Sequence, residues 1–176
     1  MIKLDISHLS WQLNKSFNIS RGSKNTAETI EVKLTDNKFI GIGECVPYGR
    51  YDETLESVQK EILDLKDGIE NLEINKKNLD QFINNGAARN AIDCALWDLE
   101  SKKKKESVWS MLDIQKPQEI PSSYTVVLDD PDKMIEDIYD HREFPTIKIK
   151  VDNKNLDKIL TNARESLPNT TIIVDA

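Results

Sequence analysis

The sequence predicts two folding units of different kinds: an α+β region, a three-stranded antiparallel meander with helices, and then the start of a parallel β/α sheet. Three observations carry this expectation. Apolar residues alternate with polar ones at Ile2, Leu4 and Ile6 and again at Ile30, Val32 and Leu34, which is the period of a half-buried strand. From Gly86 to about Lys103 the apolar residues fall at helical spacing instead. From about Glu119 onward, strand and helix patterns alternate, and that order means parallel strands joined by right-handed crossovers.

Taken in order, the first strand is followed by a polar stretch, Asn14 to Ala27, which reads as a long loop carrying Arg21-Gly22-Ser23; a loop of that length is uncommon without a job. The second strand ends in the turn Thr35-Asp36-Asn37-Lys38, and Phe39 to Cys45 returns as a third strand. Asp52-Glu53 is expected to start a helix with Leu55, Val58, Ile62 and Leu65 on one face. The next helix has the inner stripe Ala88, Ala91, Ile92, Ala95, Leu96 and Leu99, whose alanines permit close approach of a neighbour. Its end carries Lys102 to Lys105, where cations complement the helix dipole. Ser122 to Leu128, Thr146 to Val151 and Thr171 to Asp175 are the three strands of the second unit. Asp130-Pro131 opens one intervening helix, and Leu156, Ile159, Leu160, Ala163 and Leu167 mark the other. A parallel sheet needs both faces covered. The last strand has neither a following helix nor a further neighbour in the sequence, so an incomplete sheet is expected.

Composition narrows the partners. With 38% apolar and 31% charged residues, the 176-residue chain has the make-up of an ordinary globular protein. A net charge of −7 argues against nucleic acid or an anionic membrane as partner. No segment approaches the roughly 18 apolar residues of a membrane span, and the alternating N-terminus is not a secretory signal. Cys45 and Cys94 lack metal-type spacing and read as free thiols of a reducing compartment, so a cytoplasmic location is expected. His8 and His141 read as surface or packing residues.

The chemistry is expected at strand ends. In Ile147-Lys148-Ile149-Lys150-Val151 the two lysines share one face and the aliphatics the other. Two neighbouring, desolvated ammonium groups suit a general base; the same pattern also suits an edge strand whose lysines deter aggregation. Asp175 ends an apolar strand, where it can serve as a metal ligand or as a helix N-cap.

These strands and their preceding region resemble the enolase superfamily, and within it the muconate-lactonising subgroup and the L-Ala-D/L-Glu (dipeptide) epimerases. The resembling stretches are Ile19-Ser20-Arg21-Gly22-Ser23, Gly43-Glu44-Cys45-Val46-Pro47-Tyr48-Gly49-Arg50-Tyr51, Gly86 to Leu99, Lys148-Ile149-Lys150 and Ile173-Val174-Asp175-Ala176. The helix stretch is shared widely across the superfamily, whereas the Arg-Gly-Ser and proline-tyrosine loops are more specific to dipeptide epimerases.

The resemblance implies a capping domain over residues 1–118 and the first three β/α units of an incomplete TIM-type (β/α) barrel over residues 119–176. It implies Lys150 as the acid/base, Lys148 beside it, and Asp175 as the first of three carboxylates on Mg²⁺. Thr125 would touch the substrate, and Arg21 would pair with the Glu side-chain carboxylate. Tyr48 and Tyr51 would belong to a loop over the site, apolar packing of that loop being their other reading. The implied substrate is a small dipeptide from cell-wall peptides. The isolated chain is expected to be inactive, with a homo-oligomer or a complementing C-terminal half left open as partner. Other readings are a muconate cycloisomerase or o-succinylbenzoate synthase-like enzyme fragment and a non-catalytic remnant.

Overall fold

The computed structural model describes residues 2–19, 22–152 and 156–175. Three strands, β1 (Lys3–Ile19), β2 (Gly22–Asp36) and β3 (Phe39–Cys45), form one antiparallel sheet in the order β1-β2-β3. Residues 14–27, expected as a loop, are strand except for the two that are not described. The apolar alternation that marks a half-buried strand is absent there because most of these side chains lie exposed. Ladder hydrogen bonds, which leave no trace in a hydropathy pattern, hold such a ribbon. The turn into β3 places Asn37 at φ 54°, a left-handed conformation that asparagine tolerates well.

Helix α1 (Leu55–Asp64) begins after Thr54, two residues later than the sequence suggested. Thr54 and Ser57 satisfy one another's backbone N–H groups in a capping box. Asp52 instead closes a one-turn 3₁₀ helix, Gly49–Tyr51, in a left-handed conformation. Next come α2 (Lys66–Glu70), α3 (Ala87–Lys104) and α4 (Val108–Met111). The buried face of α3 is Ala88, Ala91, Ile92, Ala95, Leu96 and Leu99, the stripe expected from the sequence.

That stripe lies against β3 at unusually short range. A Cβ at Gly43 would stand 2.0 Å from the Ala91 carbonyl oxygen, and one at Gly41 would stand 2.2 Å from that of Ala95. The two glycines pair across the ladder with Val32 and Leu34, both fully buried. Large side chains on β2 thus flank a slot on β3 that receives the helix backbone.

The second sheet is parallel, in the order β4 (Ser123–Val126), β5 (Thr146–Lys150), β6 (Thr171–Asp175). Helix α5 (Pro131–Asp140) joins β4 to β5, and α6 (Leu156–Ser166) joins β5 to β6. Asp130 caps α5 by accepting from the Asp132 N–H, with Pro131 in the first turn. Ile147 and Ile149 are fully buried in a cluster with Val126, Met134, Ile138, Ile159 and Ala163.

By contacts the chain forms two compact units, Met1–Gln12 with Thr26–Pro117, and Leu13–Asn25 with Gln118–Ala176. The outer arm of the β1–β2 ribbon therefore belongs with the parallel sheet. The Leu128 N–H donates to the Asn18 carbonyl at 3.2 Å, and Lys15 reaches Asp137.

Candidate active site

Strand register brings four of the expected site residues together. Thr125 is level with Lys148 across the β4–β5 ladder, and Lys150 is level with Asp175 across β5–β6. Neighbours in register share a face, so Thr125, Lys148, Lys150 and Asp175 lie on the face opposite buried Ile147 and Ile149. The alternation in Thr146–Lys150 produces this separation of apolar packing from charge.

The two lysines do not face one another as bare charges. Lys148 Nζ lies 2.7 Å from Asp175 Oδ2, and Lys150 Nζ lies 2.9 Å from the same oxygen. Lys150 is the more enclosed, its side chain 18% exposed against 36% for Lys148. The Lys148 ammonium first, and then that of Lys150, hold the Asp175 carboxyl down at about 2. The shared carboxylate thus offsets much of the repulsion that two adjacent ammonium groups would otherwise feel. The Phe17 ring, from the outer arm, has its centroid 5.9 Å from Lys150 Nζ.

The arrangement offers a proton-accepting or proton-donating nitrogen beside a second cation, on a surface able to bind an anionic substrate. It does not by itself make a magnesium site. Mg²⁺ demands near-octahedral oxygen coordination, whereas this strand end carries one carboxylate with an oxygen shared by two ammonium groups. No group of three His, Cys, Asp or Glu side chains able to hold a metal occurs among the described residues.

Tyr48 and Tyr51 belong to the first unit. Their rings meet edge to face at 5.7 Å, and Tyr51 is 72% exposed. Their loop is fixed by Glu53, which the sequence suggested only as part of a helix opening. One Glu53 oxygen accepts from the Tyr48 N–H at 3.0 Å and the other from the Ala87 N–H at 2.7 Å, at the start of α3. The glutamate thereby caps a helix N-terminus that lacks a capping side chain of its own at Gly86. Arg21 lies outside the described residues.

Residues 1–113 match the family described as mandelate racemase / muconate lactonizing enzyme, N-terminal domain. The chain belongs to that family. Within it, the chain is 34% identical over 169 residues to the L-Ala-D/L-Glu epimerase of Escherichia coli (strain K12), an alignment covering 95% of this chain and 52% of the relative. It is also 34% identical over 150 residues to an N-acetyl-D-glutamate racemase of Pseudoalteromonas sp, covering 84% of this chain and 47% of that one. An enolase family member from Agrobacterium tumefaciens with homology to dipeptide epimerases, solved with bound sodium and L-Ala-L-Glu, superposes with a TM-score of 0.92 at 35% identity. That match covers 100% of this chain and 54% of the other. A dipeptide epimerase from Cytophaga hutchinsonii complexed with Mg and D-Ala-L-Val gives 0.81 at 26% identity, covering 99% of this chain and 51% of the other. This mandelate racemase/muconate lactonizing enzyme family chain spans about half the length of these relatives. No helix among the described residues is long and apolar enough to cross a membrane.

Proposed function

We propose that this chain is the N-terminal portion of a Mg²⁺-dependent dipeptide epimerase that inverts the α-carbon of the Glu residue in L-Ala-D/L-Glu, in cytoplasmic turnover of cell-wall peptides. The observation that carries the reading is the pair of lysines converging on Asp175 at the ends of adjacent parallel strands, in a chain of this family. Residues 1–118 act as the cap and residues 119–176 as the start of the barrel.

On this reading Lys150 Nζ takes the α-proton of the Glu residue, and an acid on the opposite face returns one with inverted configuration. Lys148 keeps a second positive charge beside the base, where negative charge builds on the substrate carboxylate. Thr125, level with Lys148, contacts the substrate from β4. Arg21 pairs with the side-chain carboxylate of the Glu residue, for which a guanidinium fork is suited. Tyr48 and Tyr51 present aromatic surface from the cap loop. Bound Mg²⁺ would supply electrostatic stabilisation of the deprotonated substrate, with Asp175 as one of its ligands. Since a single carboxylate does not hold Mg²⁺ in place, the chain alone is inactive, and turnover requires the remaining ligands on the same or a complementing polypeptide.

One observation favours a second reading. The N-acetyl-D-glutamate racemase shares the same 34% identity as the dipeptide epimerase, over 150 rather than 169 residues. Both substrates are N-acylated glutamates, so the same lysine and arginine would serve either.

The test isolates the native protein from its source with an antibody to the cap and incubates it in D₂O with Mg²⁺. Loss of the α-proton signal is followed by NMR for L-Ala-L-Glu and for N-acetyl-L-glutamate. Metal-dependent exchange that is faster on the dipeptide is expected, with Lys150→Ala in the chromosomal copy losing about a thousandfold in rate. Faster exchange on N-acetylglutamate selects the second reading. Undiminished exchange in Lys150→Ala, or none on either compound, would sink both.

A further inference from the structure

The outer arm of the β1–β2 ribbon is tied to the parallel sheet by a side chain whose role nothing above assigns. Lys15 directs its ammonium at three acceptors: Tyr124 Oη at 2.6 Å, and Asp137 Oδ1 and Oδ2 at 2.8 and 2.7 Å. An ammonium has three N–H donors, so this geometry can satisfy all of them. Tyr124 Oη in turn donates to Asp137 Oδ1 at 3.0 Å. The Tyr124 ring is held flat on the His141 ring, with centroids 3.6 Å apart and planes 7° from parallel, and Phe144 packs beside both. His141 Nδ1 lies 2.9 Å from the Asp137 carbonyl oxygen and 3.3 Å from Asp137 Oδ1. The acceptors are therefore fixed in place by the sheet and α5, and the lysine is the part that arrives from the arm.

We infer that Lys15 is a positioning residue: it latches the outer arm of the ribbon to β4 and α5 through Asp137 and Tyr124, and thereby sets Phe17 over Lys150. Phe17 lies two positions beyond Lys15, and Asn18 makes the backbone contact to Leu128. The arm is thus held on both sides of the aromatic ring that stands 5.9 Å from Lys150 Nζ. Tyr124 also immediately precedes Thr125, so the same tyrosine couples the latch to the strand that carries a candidate substrate contact. The importance of Phe17 for chemistry rests on the reading of Lys150 as acid/base; the latch itself does not.

The test uses the 176-residue chain and no substrate. Hydrogen exchange is followed in the arm, residues 13–18 and 22–25, and in α3 as an internal reference, while the side-chain resonances of Lys150 are recorded by NMR. Phe17→Leu calibrates the ring-current shift that the phenyl group imposes on Lys150. Lys15→Met is expected to speed exchange in the arm about fivefold with α3 unchanged, the scale set by a partly exposed charge-assisted pair. It should also move the Lys150 resonances in the same direction as Phe17→Leu does. Lys15→Arg, which retains a cation able to reach the carboxylate, should restore both signals, and Asp137→Asn should reproduce the loss. Unchanged arm exchange in Lys15→Met, or equal acceleration in α3, overturns the inference; so does failure of the arginine variant to restore the Lys150 signal. If dipeptide exchange by the native protein fails while these signatures hold, the functional reading falls and the latch stands.

Discussion

The strands β3 and β6 each lie at the edge of a three-stranded sheet, and the chain treats the two edges differently. Along β3 two of the backbone groups that face outward are taken by an i, i+4 pair from α3. Asp98 Oδ2 accepts from the Ile42 N–H at 2.8 Å, Lys102 Nζ donates to the Ile40 carbonyl at 2.8 Å, and the two side chains meet at 2.6 Å. Along β6, Ile173 and Val174 are 45% and 48% exposed. An open apolar edge is a template for pairing with another strand. The first unit covers part of its edge with its own helix, whereas the second carries its candidate chemistry on its edge strand, β6, which bears Asp175.

This contrast can be broken from either side. The largest effect is expected for Ile149→Ala, which removes a fully buried side chain from the smaller cluster. A loss of roughly 4 kcal/mol is expected, visible in urea unfolding and confined to the parallel sheet in hydrogen exchange. Gly43→Ala attacks the other unit, where a Cβ would collide with the Ala91 carbonyl. About 3 kcal/mol should be lost there, with exchange rising in α3 and β3 and unchanged in β5.

A smaller loosening of the first unit comes from pH. Burial, with Glu53 as the next cause, pushes the Cys45 thiol up to about 11. Because the folded value is raised above the ordinary one near 9, the associated stability is intact below about pH 9 and lost as pH rises through about 11. Urea midpoints should fall over that window by the equivalent of about 2 kcal/mol, and Cys45→Ala should flatten the fall. The edges themselves are compared by a final pair of variants. Asp98→Ala uncovers the Ile42 N–H, costs about 1 kcal/mol, and should increase self-association in sedimentation. Val174→Lys should reduce self-association and change stability by less than about 0.5 kcal/mol. An equal response of both variants would mean that the helix pair does not protect the β3 edge.

The elements with strong periodicity were legible in the sequence. The α3 stripe and the alternation around Lys148 and Lys150 each bury one face and leave the other to solvent or to charge. The outer arm was not legible, because a ribbon with most side chains in water needs no apolar pattern. The start of α1 was obscured because Asp52 and Glu53 resemble a helix opening, while Thr54 is the residue that caps it. Register could be anticipated to the extent of placing two lysines on one face, but their convergence on a single carboxylate oxygen depends on how β5 and β6 align. Lys15 left no signal, since its partners stand 109 and 122 residues away, and nothing local marks the bond from Glu53 to Ala87, 34 residues on.

The glycines of β3 also bear on how the chain selects its pairing as it folds. Gly41 and Gly43 are spaced two apart, with Ile40 and Ile42 on the opposite face at 41% exposure each. A slip of β3 by one residue would turn those isoleucines toward α3, where even a methyl group does not fit. Misaligned hairpins could still form their ladder, but they could not dock the helix. The slot therefore acts as a gauge that lets α3 settle on one alignment of the meander and leaves every odd-numbered error without a partner.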